Sequence, residues 1–386
     1  MQFETDEYYL YSPDSGLFVI GQSGVKDWKN DSGNFYSRWE HPAYVQLMVD
    51  DELSIDDPVG FRIKASSGRD RPNKTLGLYW RESYGQKRVD ETFLFEEYPL
   101  DRFKRIKLDA GATIFRNMVV EAIARNQLAF EVAQMRPIHL FINDNYWGLY
   151  NMEETISPHH FDYKYGVDDD LVNILWWDSE APLIDDGTSE YWNNEVLSRI
   201  NNLDFNLDAS VDELALYVDL QSLIDYFIFE TYIFNWDWPV NNMKWWNAPD
   251  NSAYKKWKFI LNDTDFACYP KNVEKLWLGS FYRNSDNVRL EYASGFIVFD
   301  ALMQNERFRN RFFSRYLEVT FEPNRVQQII EDYIAMLEGE YRLHYLKWGG
   351  MNFNEVVEDL RDIGEFNEKR AKWIRPLILQ WYNETL

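Results

Sequence analysis

One cysteine, Cys268, stands in 386 residues, which excludes an internal disulfide and a cysteine-rich zinc site. Histidine is nearly as scarce at five, and the adjacent His159 and His160 cannot both face one ligand in a regular element, so the histidines carry no message. Basic runs are missing too. With 40 basic against 64 acidic residues the formal net charge is −24, and charge-driven binding to nucleic acid or anionic membrane lacks the Lys and Arg clusters that phosphate neutralisation needs. No stretch of about 18 continuous apolar residues offers an integral membrane segment, and the opening MQFETDEYYLYS has no basic segment followed by an apolar run. As given, and leaving aside a trimmed leader, the sequence reads as soluble with its compartment open. Internal repeats and low-complexity tracts are also lacking.

What is present is ample core material: 45% hydrophobic and 17% aromatic residues, in a chain long enough for two lobes sharing a cleft. Up to about residue 150 the pattern is strand-rich, with AYVQLMV, VGFRIKA, TLGLYW and PIHLFI bounded by Asp, Gly, Pro and Asn. One helix interrupts them, IFRNMVVEAIARNQLAFEVA, with apolar residues near a 3.6 period. INDNYWGLYNMEE then reads as strand, Asn/Asp turn and strand. After an acidic, loop-rich stretch the character turns helical: VDELALYVDLQSLIDYFIFETYIFNW, then helices within 296–340 and 353–385, with KKWKFILND as a strand between. The expected fold class is α+β, with residues 1–155 a smaller β-rich lobe carrying one helix and 156–386 a larger, mainly helical lobe. A cleft between them is the default place for a ligand.

Two constellations carry chemistry. Pro239 and the apolar helix before Asn235 place NWDWPVNN on a loop, while the strand WKFIL delivers NDTD at its end. Asp237, Asn242, Asp263 and Asp265 then form an oxygen-rich set of the kind Mg²⁺ or Mn²⁺ prefers. The Asp-x-x-x-x-Asn spacing equals that of the protein-kinase catalytic loop, where the Asp orients the acceptor and the Asn holds a metal, and an Asp-Phe pair follows at 265 and 266. Either half alone reads as turn caps and solvated acids; together and in this order they are specific. The second constellation is FRIKASSGRDRPNKTLGLYW, where a strand, a Ser/Gly/Arg loop and a return strand aim Arg69, Arg71 and Lys74 at one spot. In so acidic a chain that is the local exception a polyphosphate requires; the bland reading is a hairpin with solvated cations. Glu121 on the helix is the candidate partner of Lys74, and most of the tryptophans around 236–257 read as core.

These pieces resemble the CotH kinase family, the spore coat protein H-like atypical kinases, over roughly residues 15–270. GLFVIG with RWEHPAYVQL, RIKASSGRDRPNKTL, FRNMV, INDNYWGLYNMEE, NWDWPVNNMKWW and KWKFILNDTDF follow the family's order. The resemblance implies a two-lobed protein-kinase-like fold that binds ATP with Mg²⁺ or Mn²⁺ and transfers phosphate to Ser or Thr of a protein substrate. It makes Lys74 the phosphate-binding lysine, Asp237 the catalytic-loop acid, Asn242, Asp263 and Asp265 the metal ligands, and Glu154 the acid near the interlobe hinge. Arg69 and Lys74 would cradle non-transferred phosphate oxygens. Members are often exported or envelope-associated, which leans the bacterial compartment that way. Ala267 stands where glycine usually follows Asp-Phe, so a stiffer metal-binding turn is expected. Three rivals stay open: a nucleotide-binding pseudokinase scaffold, a glycoside hydrolase using Asp237 with Asp263 or Asp265, and transfer of AMP in place of phosphate.

Overall fold

The computed structural model describes residues 1–386 apart from 28–29, 50, 66–67, 91–93, 96–97, 99, 111–113, 179–180, 240, 277–295 and 386. Ser66 and Ser67 of the Ser/Gly/Arg loop and Val240 of NWDWPVNN therefore lie outside the described residues. The chain divides into two compact units, each drawn from separated segments: 1–118, 133–164 and 334–357 make the first, and 119–132, 165–333 and 358–386 the second.

The first unit is built on seven strands: β1 (Gln2–Glu4), β2 (His41–Val49), β3 (Glu52–Ile63), β4 (Leu76–Tyr79), β5 (Arg105–Asp109), β6 (Met135–Ile142) and β7 (Asn145–Glu154). They run in the order β1-β2-β3-β4-β5-β7-β6 and close into a barrel. Closure comes from β1, which pairs antiparallel with β2 (Phe3 opposite Val45) and parallel with β6 (Phe3 opposite Ile142). A closed sheet has no free edge to protect. Alternation sets the interior: Ile106 and Leu108 of β5 are fully buried, as are Phe3, Val45, Val59, Phe61, Leu140 and Met152. All four residues of β4 are buried, so that strand is covered on both faces. The β6–β7 turn is Asn143-Asp144, with φ of 46° and 63°, the left-handed pair that a two-residue hairpin demands and that Asn and Asp tolerate. Asn143 also exchanges two hydrogen bonds of 2.9 Å with the Thr5 backbone, fastening the end of β1 to the hairpin.

This corrects the expected fold. In place of a two-lobed protein-kinase-like arrangement with a small β lobe, the chain forms a closed seven-stranded mixed barrel and a helical region. The physical reason is β1: three residues, too few to carry a periodic signal, supply the pairing that joins the two ends of the sheet.

The second unit holds a four-stranded sheet in the order β11-β10-β8-β9, formed by β8 (Asn173–Asp178), β9 (Ala181–Asp186), β10 (Met243–Asn247) and β11 (Lys258–Ile260). Its central helix, here α1 (Leu220–Ile233), buries every residue but Gln221. Asp219 caps its N-terminus, accepting from the Gln221 and Ser222 amides at 3.0 Å. Trp238, Trp245, Trp246 and Trp257 are at most 1% exposed, which makes them core. No helix among the described residues is long and apolar enough to cross a membrane.

Candidate active-site loops

In the second unit, α1 ends where Phe234 turns left-handed at φ 46°. Its last carbonyls, Thr231 and Tyr232, are satisfied by the guanidinium of Arg370, at 2.6 and 2.9 Å. The loop from Asn235 to Asn242 starts from that fixed point and is pinned midway by buried Trp238, whose indole N–H donates to the Tyr226 hydroxyl at 3.0 Å. The second loop leaves β11 and carries Asp263 and Asp265.

The two loops are sewn together by backbone and amide bonds. Asn235 Nδ2 donates to the Asp263 carbonyl at 3.0 Å, and Asn242 Nδ2 reaches the same oxygen at 3.5 Å. The Trp236 amide donates to Phe266 O at 3.3 Å, and the Cys268 amide to Ile233 O at 2.8 Å. Asp237, Asp263, Asp265 and Asn242 therefore stand on adjoining segments: Asp263 is exposed, the other three half-buried. Asn242 and Asp263 hold positive φ, 67° and 58°, a conformation that costs non-glycine residues energy and clusters at functional sites. Among the described residues the three carboxylates are not a set whose ligand atoms all lie within 4.8 Å of one another; the acidic triple that is, Asp168, Asp169 and Asp170, occupies a single turn. Ala267 does not hold positive φ; the left-handed residue in that turn is Cys268, at φ 59°.

Lys74, in the first unit, is 2% exposed rather than an open cleft residue. Its ammonium donates to the Arg69 and Arg71 carbonyls at 2.5 and 3.0 Å and lies 4.2 Å from the centre of the Phe35 ring. Burial pulls its pKa down to about 8, with Asp70 acting in the opposite direction. Arg69 donates to the Ala65 carbonyl at 2.5 Å and, more loosely, to those of Phe35, Tyr36 and Ser37. Burial, then the neighbouring charge of Arg38, lowers its pKa. In this conformation both cations hold the shape of the loop that joins β3 to β4. Arg71 is exposed on it.

The remaining expected residues are interior. Glu121 is buried on the helix Ile114–Ala124, in a stretch that belongs to the second unit. Glu154 closes β7 at 2% exposure, accepting from the Tyr98 hydroxyl at 3.0 Å and meeting His160 Nδ1 at 2.7 Å. His160 was invisible as a partner because its acid lies on another element. Glu230 was missed as well. It is fully buried one turn before the end of α1, and its pKa rises to about 8, from burial first and then the charge of Asp263; the Asn235 amide and Tyr226 hydroxyl pull the other way. A lone acid inside FIFETYIF was the available signal.

Lys74→Ala is therefore expected to cost stability as well as charge. Two loop carbonyls and an aromatic face lose their cation, a loss of roughly 1–3 kcal/mol. Thermal unfolding of the variant checks it, and an unchanged midpoint would return Lys74 to a purely ligand-facing role.

No curated protein matches the chain. The CotH kinase protein profile, however, matches residues 62–374, a span that takes in the β3–β4 loop, both acid-bearing loops and most of each unit. The chain belongs to the CotH kinase family, and a kinase-like function comes with that membership.

Proposed function

We propose that this chain is an ATP- and divalent-metal-dependent phosphotransferase that phosphorylates Ser or Thr hydroxyls of a protein. One observation carries the reading: the loop with Asp237 and Asn242 is hydrogen-bonded through Asn235 and Asn242 to the Asp263 carbonyl of the loop with Asp263 and Asp265. That donor set, carboxylate and amide oxygen with no sulfur or imidazole, suits a hard cation such as Mg²⁺ or Mn²⁺. Asp263, Asp265 and Asn242 would hold the ion, which when bound neutralises phosphate charge that so acidic a chain would otherwise repel.

Asp237 orients the acceptor hydroxyl and takes its proton. Asn235 and buried Trp238 fix the backbone on either side of it, so little reorganisation is needed at the moment of reaction. Arg69 and Lys74 contribute positive charge toward the nucleotide phosphates through the loop they shape, with Arg71 exposed on the same loop. Glu121 and Glu154 act from the interior: Glu154, held by His160 and Tyr98, stiffens the end of β7.

The test is transfer from labelled ATP with Mg²⁺ or Mn²⁺ present. Label arriving from the γ-phosphate, on this chain or on a protein acceptor, is the expected result. Label arriving from the α-phosphate would reassign the site to AMP transfer. Nucleotide binding with no transfer from either position would make the chain a scaffold.

A further inference from the structure

Tyr226 and Glu230 are four residues apart on α1 and share one face of it. The Tyr226 hydroxyl accepts from Trp238, on the Asp237 loop, which leaves its own proton for the carboxyl beside it. On the other flank stands Asn235, whose Nδ2 donates to the Asp263 carbonyl. Both neighbours bear on Glu230 as donors, at more than normal hydrogen-bond length, and among the described residues no cation pairs with it. A carboxylate in such a place would be an uncompensated buried charge; a neutral acid can donate and accept.

We infer that Glu230 is a positioning residue: as a neutral carboxyl packed behind the two acid-bearing loops, it couples Tyr226 and Trp238 on one side to Asn235 and the Asp263 carbonyl on the other, and so fixes where Asp237 stands relative to Asp263. The inference rests on the proposed phosphotransfer only in calling those loops catalytic. The coupling itself belongs to the fold. A hydrocarbon of similar size would fill the volume and leave the amide and the hydroxyl without a polar neighbour between them.

Amide hydrogen exchange on the full chain, paired with Mn²⁺ titration in the absence of nucleotide, tests it. The amides of Trp236 and Cys268 report the seam, since Trp236 donates from the first loop to the second and Cys268 from the second to Ile233 at the end of α1. Glu230→Gln keeps shape and polarity, so seam exchange and Mn²⁺ affinity should stay within about threefold of wild type. Glu230→Leu and Tyr226→Phe should each quicken both seam amides by about tenfold while barrel amides keep their protection. Glu230→Leu should also weaken Mn²⁺ binding by about tenfold.

Unchanged seam exchange in Glu230→Leu overturns the inference. So does a Glu230→Gln variant as loose as the leucine one, because the carboxyl would then be needed as a charge. If Glu230→Leu does not fold, Tyr226→Phe decides: loosening at Cys268, which Tyr226 does not bond, supports the coupling, and loosening confined to the Trp238 loop overturns it. Wild-type protein that binds no Mn²⁺ would count against the metal reading alone, because the exchange result stands without it.

Discussion

Asp237→Asn should retain near-normal nucleotide affinity while label transfer falls by about 10²-fold or more, the scale of losing a positioned acid or base. The side chain is half-buried on a loop that Asn235 anchors through its amide, Trp238 through its indole, and the Asp237 backbone carbonyl through the Asn241 amide at 3.0 Å. An isosteric amide keeps the size and polarity of the side chain, so the change is expected to act on the transition state far more than on the ground state. Asp265→Asn is expected to behave differently, losing metal-dependent nucleotide binding together with transfer, because a ligand to the ion serves both. Equilibrium nucleotide titration beside single-turnover transfer separates the two. If Asp237→Asn lost affinity as severely as Asp265→Asn, the division of roles between the loops would be wrong.

Arg370→Ala should be among the most destabilising single changes in the chain, by roughly 3–5 kcal/mol, the range for stripping a partner from a buried charged network. Its guanidinium is fully buried, and its acceptors are all backbone carbonyls: Thr231 and Tyr232 at the end of α1, and Val273 and Lys275 beyond the second acid-bearing loop. Burial lowers its pKa to about 10, which still leaves it charged at neutral pH. Truncation would orphan four carbonyls and open a cavity at once. Arg370→Lys should recover only part of the loss, since an ammonium cannot reproduce the planar fork. Denaturant midpoints with unchanged slopes would measure it; a loss under about 1 kcal/mol for the alanine variant would show that water satisfies those carbonyls.

Local order was legible in the sequence wherever the determinants are local. INDNYWGLYNMEE gave strand, turn and strand because Asn143 and Asp144 are the residues that accept left-handed backbone. The two acid-bearing loops were placed at the right element ends because Pro239 and the WKFIL strand mark them. What depends on distant partners was not legible. Strand alternation says which side is buried but not which strand lies alongside, so barrel closure by β1 could not be read. The long helical run from Val211 broke at Tyr217–Asp219 because the Trp257 and Asp219 amides donate to the Tyr217 and Trp257 carbonyls, at 2.8 and 2.9 Å, diverting the backbone from the helix. Lys74 looked exposed because lysine usually is; its partners are main-chain oxygens, which leave no mark in side-chain chemistry.

The barrel unit also sets a schedule for synthesis. Its seven strands have all emerged by Glu154, but its last segment begins at residue 334. That segment supplies the helix Tyr341–Trp348, in which His344 accepts from the Leu149 amide at 3.0 Å and Trp348 donates to the Trp147 carbonyl, both on β7. At about 5–20 residues per second, the roughly 180 residues in between take on the order of 10–40 s to translate. Through that interval the part of β7 that meets His344 and Trp348 has no such partners. The same interleaving governs attempts to cut the molecule in two: a fragment ending before residue 334 lacks the helix that covers β7, and what remains lacks the strands that helix was made to cover.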